Sequence, residues 1–183
     1  MRNVMKTATL ESKFPLLAVE NGCIISKDAD ITVAYRVELP ELFTLTRAEY
    51  EAMHSTWAKA VKVLPNYSIV HKQDFFIEES YRPDICKDGM SFLSRSFERH
   101  FNERPYLQHT CYLLLTKTTK ERSRTTSSFN ALTRGFIIPK EMRDRETVTR
   151  FMECCGQFER IVNDSGLLSI TRLTDGEITG TES

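Results

Sequence analysis

The sequence predicts an α+β fold in a single domain, and three observations lead to that fold class. Runs of alternating or continuous apolar residues of strand length recur along the chain, and two segments between them carry apolar residues at about the 3.6-residue helical period. The stretch Leu107–Thr118, LQHTCYLLLTKT, is apolar on both alternating faces. That pattern is typical of a strand in the middle of a sheet that is covered on both sides. A chain of 183 residues that is 40% hydrophobic can bury one ordinary core.

The N-terminal part predicts a flexible stretch, a hairpin and a strand. Two short apolar runs flank Asn21-Gly22, and because Asn-Gly permits the positive φ angles of a type I′ turn, we expect a β-hairpin. The next run alternates apolar and polar residues up to Pro40, which predicts a strand with one buried face. The expected ranges are 1–13 for the flexible stretch, Leu16–Glu20 and Cys23–Ser26 for the hairpin, and Ile31–Leu39 for the strand.

A helix is predicted to begin at Thr46, which forms a capping box with Glu49. The helix is expected to end at Pro65. Trp57 lies on its apolar stripe, which indicates a core position rather than a ligand contact. The stripe consists of Tyr50, Met53, Trp57, Val61 and Leu64.

The segment Tyr67–Glu79 predicts a strand with a polar insertion. The insertion consists of His71, Lys72, Gln73 and Asp74. It interrupts the apolar alternation, which favours an exposed or edge segment of the sheet. The alternative is that these polar groups contact a partner or another domain. A loop over 81–89 and a short helix over Ser91–Phe101 are expected next, the helix carrying Leu93, Phe97 and Phe101 four residues apart.

The composition changes after the central strand. Residues 117–130 are rich in Ser and Thr, lack an apolar period and carry a local charge of +3, which predicts a mobile loop. A long amphipathic helix is expected over roughly Glu141–Asn163, with Ser165-Gly166 as its C-cap. The last strand is expected over Leu167–Leu173, and residues 175–183 are expected to be a linker toward a C-terminal domain.

The order of these elements defines the predicted architecture. From Ile31 onward the chain reads β-α-β-(α)-β-α-β, which predicts a ferredoxin-like β-α-β-β-α-β sandwich with an N-terminal β-hairpin and one inserted helix. The domain is expected to span residues 14–174. The hairpin would extend the sheet at an edge or fold over one of its faces.

Composition and motifs exclude several kinds of chemistry. No G-x-x-x-x-G-K-[ST] motif is present, so we expect no nucleotide binding or hydrolysis by this chain and no cofactor. Cys86, His100, His109 and Cys111 lack the paired spacing of structural zinc sites, and no metal is expected. Of the adjacent cysteines, Cys154 is expected to be partly exposed and Cys155 to be a core residue. Neither is expected to be a nucleophile.

Two alternative functions remain open at the level of sequence. A nucleic-acid-binding module is disfavoured because Lys+Arg and Asp+Glu are both 25 and the third strand lacks the RNA-recognition signature. A small enzyme would need a dispersed site with converging titratable groups.

Three segments resemble one known family. NGCIISKDADITVAYRVELPELFTLT, LPNYSIVHKQDFF and HTCYLLLTK, within about residues 10–175, resemble the N-terminal region of Bacteroidetes-type TraG conjugation proteins. Those proteins are the traffic ATPases of conjugative type IV secretion systems, in which the Walker motifs lie in a separate C-terminal domain. The resemblance carries over no catalytic residue.

The resemblance implies a non-catalytic docking or assembly domain. Its expected partners are other conjugation-apparatus proteins at the inner membrane, the protein's own ATPase domain, or further copies of itself, and its expected location is cytoplasmic and peripheral to that membrane. The candidate partner-contact residues are His71, Lys72, Gln73, Asp74, Tyr112 and Leu114. The candidate residues for contact with an anionic surface are Lys117, Lys120, Arg122 and Arg124.

Overall fold

The structure is a computed structural model that describes residues 14–41, 43–81, 91–118 and 145–181. Within these ranges the chain forms six strands and four helices. In chain order they are β1 (Leu16–Glu20), β2 (Cys23–Ser26), β3 (Ile31–Glu38), α1 (Arg47–Val63), β4 (Ser68–Ser80), α2 (Phe92–Asn102), β5 (Pro105–Lys117), α3 (Arg145–Asn163), β6 (Ser169–Arg172) and α4 (Asp175–Thr179).

The six strands form one antiparallel sheet with a ferredoxin-like core. Its central strands lie in the order β6-β3-β5-β4, and each neighbouring pair is antiparallel. This order and the two β-α-β halves confirm the predicted ferredoxin-like α+β sandwich, with α2 as the inserted helix. The hairpin extends the sheet, because β2 pairs with β3 on the same edge that β6 uses further along.

The hairpin turn has the predicted type I′ geometry. Asn21 and Gly22 have φ angles of 55° and 68°, as this turn requires at both central positions. The register of β1 against β2 shifts between Leu16 and Ala18, so the outer strand of the hairpin is short and irregular.

The core lies between the sheet and the pair of helices α1 and α3. Phe151 and Phe158 of α3 are completely buried, and the Trp57 ring meets Phe158 edge-on at 5.6 Å between centroids. The position predicted for Trp57 is therefore confirmed. The hydroxyl of the buried Tyr35 donates to the Cys155 carbonyl oxygen at 3.3 Å, which connects β3 to the middle of α3.

The start of α1 was predicted correctly, but the predicted apolar stripe includes two residues that do not face the core. The Thr46 side chain accepts a hydrogen bond from the Glu49 amide, and the Glu49 carboxylate accepts one from the Thr46 amide. Tyr50 and Val61 are exposed, because α1 presents only Met53, Trp57, Ala60 and Leu64 to the core.

The strand β5 occupies the predicted central position but is only partly covered. Leu113 and Leu115 face the helices and are completely buried, whereas Tyr112 and Leu114 on the other face are half-buried. Leu107, predicted to share the buried face, is 65% exposed. The expectation of cover on both faces is therefore not met in the part of the chain that the structure describes.

The predicted linker is wrong for its first residues, because Asp175–Thr179 form the helix α4. Thr174 and Glu177 make a capping box at its start. The Asp175 carboxylate accepts hydrogen bonds from the amides of Asn21 and Gly22, which attaches α4 to the hairpin turn.

Some predictions lie outside the described residues. They are the flexible stretch 1–13, the loop over 81–89 from residue 82 on, the loop over 117–130 from residue 119 on, the first part of the helix predicted over Glu141–Asn163, and residues 182–183 of the predicted linker.

Candidate functional site

The strands β4 and β5 extend well beyond the rest of the sheet. Each has 13 residues, but β3 pairs with β5 only at Cys111–Lys117. The pairs from Phe75–Thr110 to Ser80–Pro105 therefore form a two-stranded ribbon with no third strand among the described residues. The helix α2 lies between the two strands in the chain. We call Phe75–Tyr81 together with Ser91–Thr110 the arm.

The arm exposes an unusual amount of apolar surface. Phe92, Leu93 and Phe97 are 83%, 78% and 65% exposed, and α2 has no buried residue although it is strongly amphipathic. Surfaces of this kind mark sites of contact with another protein or a membrane. The other exposed apolar residues of the arm are Phe75, Phe76, Ile77, Tyr81, Phe101, Tyr106 and Leu107.

Aromatic rings of the arm form an open groove. The Phe97 and Phe101 rings lie 4.6 Å apart, and Tyr81 meets Phe101 edge-on at 6.5 Å. Together with Tyr106 they line a groove of about 570 Å³. Rigid aromatic side chains around a groove are the groups that most often anchor a partner at an interface.

The predicted partner-contact residues lie together at the base of the arm. His71 pairs with Leu114 and Gln73 with Tyr112, so these four side chains share the face that α1 and α3 leave uncovered. Lys72 and Asp74 lie on the opposite face of the same ladder. All four residues of the polar insertion are exposed, and β4 is the last strand of the sheet, so the prediction of an exposed edge segment is confirmed.

Polar contacts order the helix-side face at this base. Asp74 accepts hydrogen bonds from Lys72 Nζ, at 2.7 Å to Oδ1, and faces His109 Nε2 at 2.8 Å. The His109 ring stacks on Phe76 with 4.6 Å between centroids. Hydrogen bonds from Lys72 and His109 lower the pKa of Asp74 to about 2, so the carboxylate is ionised at neutral pH.

The cysteine beside this cluster does not have the character of a nucleophile. Burial and a hydrogen bond to Asp74 raise the pKa of the Cys111 thiol, which disfavours the reactive thiolate. Burial likewise raises the pKa of Cys155 to about 12. Cys154 is half-buried, as the sequence predicted.

The candidate residues for an anionic surface are mostly untested. Lys120, Arg122 and Arg124 lie outside the described residues. Lys117 is not a loop residue but the last residue of β5, and it is buried. Its Nζ donates to the carbonyl oxygens of Asn66 and Thr118 at 2.8 and 3.0 Å, so its side chain is directed to the protein rather than to an external anion.

The sequence interpretation missed the arm as a surface. Leu93, Phe97 and Phe101 were recognised as a helical stripe, but a stripe does not say whether anything covers it. One signal was present: the predicted ranges for β4 and β5 exceed the one for β3. Because β3 is the shorter strand, it cannot pair with a longer neighbour along that neighbour's full length.

Comparison with known proteins adds one partial match. A family described as "Domain of unknown function, B. Theta Gene description (DUF3875)" matches residues 3–55, less than a third of the 183 residues. In the described structure this segment holds the hairpin, β3 and the first half of α1, but not the arm. No curated protein matches the chain. Among the described helices, none combines the length and apolar character needed to cross a bilayer.

Proposed function

We propose that this chain is a non-catalytic docking or assembly domain of a conjugative-transfer (type IV secretion) ATPase. It would contact membrane-channel components or its own ATPase domain, in the cytoplasm at the inner membrane. The exposed apolar arm carries the proposal for a docking role. The likeness to TraG N-terminal regions supplies the particular machinery.

The physical argument for docking rests on the isolation of the arm. A two-stranded ribbon without a third strand is marginally stable in water, and exposed Phe and Leu side chains on it gain nothing from the core. Burial against a partner would remove this apolar area from water, at about 25 cal/mol per Å² before the costs of association. The arm therefore has the features of a contact surface.

Polar groups at the base of the arm suit the rim of such a contact. His71 and Gln73 are exposed beside Tyr112 and Leu114, and Lys72 is exposed on the opposite face of the same strand. Polar residues around an apolar centre provide specificity and orientation more than affinity. We propose that the polar insertion orients the partner that the aromatic residues of the arm hold.

Capture of partners by variants of the arm tests this proposal. We expect Phe92→Asp with Phe97→Asp to abolish co-purification of transfer-apparatus proteins with the complete ATPase, because the charges oppose burial of the α2 face. Ser96→Asp, an exposed position of the same helix, is the matched control and should leave capture intact. Equal capture by the Phe variants and the wild type would refute docking through the arm.

The absence of nucleotide chemistry in this chain is tested separately. We expect the isolated chain to show no ATP turnover above the level of a mock purification. Turnover that persists through successive purification steps would contradict the non-catalytic assignment.

A further inference from the structure

The outer edge of β4 has no neighbouring strand among the described residues. It is long, and the ten residues 71–80 along it are all exposed. An edge of this length presents a row of backbone N–H and C=O groups that another antiparallel strand can complete. The charges on β4 indicate which strand this would be.

We propose that the strand is β4 of a second copy of this chain, paired antiparallel about a two-fold axis at Phe75. The inference deepens the proposed assembly role, on which its biological use rests. A closed two-fold pair of edge strands requires the axis to pass between a residue and the same residue of the other copy. Such a pair keeps α1 and α3 of both copies on the same side of a continuous sheet.

Charge complementarity selects Phe75 as the axis residue. His71 and Lys72 lie on one side of Phe75, and Glu78 and Glu79 lie on the other. With the axis at Phe75, Lys72 faces Glu78 of the second copy and His71 faces its Glu79. The symmetry repeats both pairs, and no like charges stand opposite each other in this register.

Neighbouring registers are opposed by the same charges. An axis at Asp74 places the two Asp74 carboxylates directly opposite each other, and an axis at Phe76 places Asp74 opposite Glu78. Like charges directly opposite on adjacent strands are destabilising. An axis at Gln73 pairs Lys72 with Asp74 but leaves both glutamates opposite uncharged residues. The charges therefore oppose the axes at Asp74 and Phe76, and they favour the axis at Phe75 over the axis at Gln73 because it places each glutamate opposite Lys72 or His71.

The apolar residues of β4 fit this arrangement. The two Phe75 side chains meet at the axis, and each Phe75 also contacts Tyr112 of its own chain edge-on at 5.8 Å. Four aromatic rings would then form a cluster across the axis on the face that α1 and α3 leave uncovered. Exposed Phe75, at 42%, would lose much of its contact with water.

Charge exchange tests the register by sedimentation of the full chain. We expect a concentration-dependent dimer for the wild type. Lys72→Glu and Glu78→Lys should each weaken it by about tenfold or more, because each replaces two attractive pairs with two repulsive ones. A mixture of the two variants should regain wild-type affinity as a heterodimer, which rules out misfolding as the cause. A wild-type monomer at every concentration, or a mixture as weak as its components, would overturn the proposal.

Cross-linking tests the axis itself. In this register the two residues at position 75 are about 4.5 to 5.5 Å apart between Cα atoms, which suits a disulfide. We expect Phe75→Cys to give a covalent dimer on oxidation by copper phenanthroline. Gln73→Cys or Ile77→Cys alone should give no more than the wild-type background, but a mixture of these two should cross-link. Equal cross-linking at all three positions would overturn the register.

The proposed dimer and the proposed docking role fail independently. If Lys72→Glu abolishes the dimer and capture of transfer proteins persists, the docking role is supported and does not depend on dimerisation. If the wild type is monomeric but Phe92→Asp with Phe97→Asp abolishes capture, only the dimer is lost.

Discussion

Phenylalanines of this chain occupy two opposite environments, and their energetic roles differ accordingly. Phe151 and Phe158 are completely buried against the sheet, whereas Phe92 is 83% exposed. Large apolar side chains in the first environment hold the fold together. Those in the second are available for contact.

Truncation of one residue from each environment should separate these roles. We expect Phe158→Ala to lower the free energy of unfolding by about 3–5 kcal/mol, through lost burial and the cavity left behind. Phe92→Ala should change it by no more than about 0.5 kcal/mol. Urea denaturation measures both values. A large loss of stability with Phe92→Ala would mean that α2 serves the fold rather than a partner.

Asp74 should make a contribution to stability that depends on pH. Its folded-state pKa, about 2, lies below the ordinary value of 3.8, so its contribution is present above about pH 4 and is lost as the pH falls toward 2. Urea denaturation at a series of pH values measures this dependence. We expect Asp74→Asn to reduce the fall of the urea midpoint between about pH 4 and pH 2. Glu51→Gln, at an exposed surface pair, is the control. The same pH dependence in Asp74→Asn and the wild type would contradict the ordered contacts of Asp74 with Lys72 and His109.

For single residues, the sequence pattern predicted burial correctly only where another element of the same chain packs against them. The helical period identified Phe151 and Phe158 correctly, because α3 packs on the sheet along its length. The same reasoning places Phe97 on the apolar stripe of α2, but that helix has no buried residue. Periodicity reports which side chains share a face, but not what that face meets.

At the scale of elements, α4 and the hairpin form one unit although they lie at opposite ends of the described chain. Asp175 accepts from the Asn21 and Gly22 amides, and Arg172 Nη2 donates to the Asn21 carbonyl oxygen at 2.8 Å. Arg36 pairs with Glu177 at 3.1 Å. The hairpin turn is thus held by polar contacts from β6 and α4.

Removal of the Asp175 charge should loosen this unit without unfolding the core. We expect Asp175→Asn to accelerate hydrogen exchange at the Asn21 and Gly22 amides by about tenfold, because the neutral amide accepts less strongly than a carboxylate. Core amides such as that of Leu113 should be unaffected. Asp164→Asn, at an exposed position after α3, is the matched control. Unchanged exchange at the turn would argue that its own geometry is sufficient.

The arm should open more readily than the strands from which it extends. In dilute solution we expect amides of 75–80 and 106–110 to exchange faster than those of 111–117, where β3 supplies a third strand. Higher concentration should slow the exchange along β4 if copies pair through its edge. Hydrogen exchange with mass spectrometry at two concentrations measures both effects. Uniform protection along β5 would contradict the isolation of the ribbon.

One element could have been predicted and was not. Thr174-Asp175-Gly176-Glu177 is a capping-box pattern of the same kind as Thr46 to Glu49. It was overlooked because no apolar stripe follows it. The helix α4 is stabilised by its cap and its contacts with the hairpin. Its residues therefore show no apolar periodicity from which a helix could be predicted.

For the whole molecule, the order of strands and helices predicted the fold, because the β-α-β-β-α-β sequence of elements permits few sheet topologies. The position of β5 between β3 and β4 followed from its apolar character on both faces. The predicted strand lengths indicate that β4 and β5 extend past β3, but which residues form the arm depends on where β3 ends relative to β5. That is a distance between segments far apart in sequence, which no local pattern contains.

The two borders of the sheet differ in a way that limits how large an assembly can become. Among the described residues, the border opposite β4 consists of β1, which is five residues long with a displaced register, and of β6, which adds only four residues along β3. Neither provides the regular row of backbone groups that β4 offers. As far as the described strands go, growth by strand addition can therefore proceed in one direction only, and two molecules joined through β4 would leave no second edge among those strands from which a filament could continue.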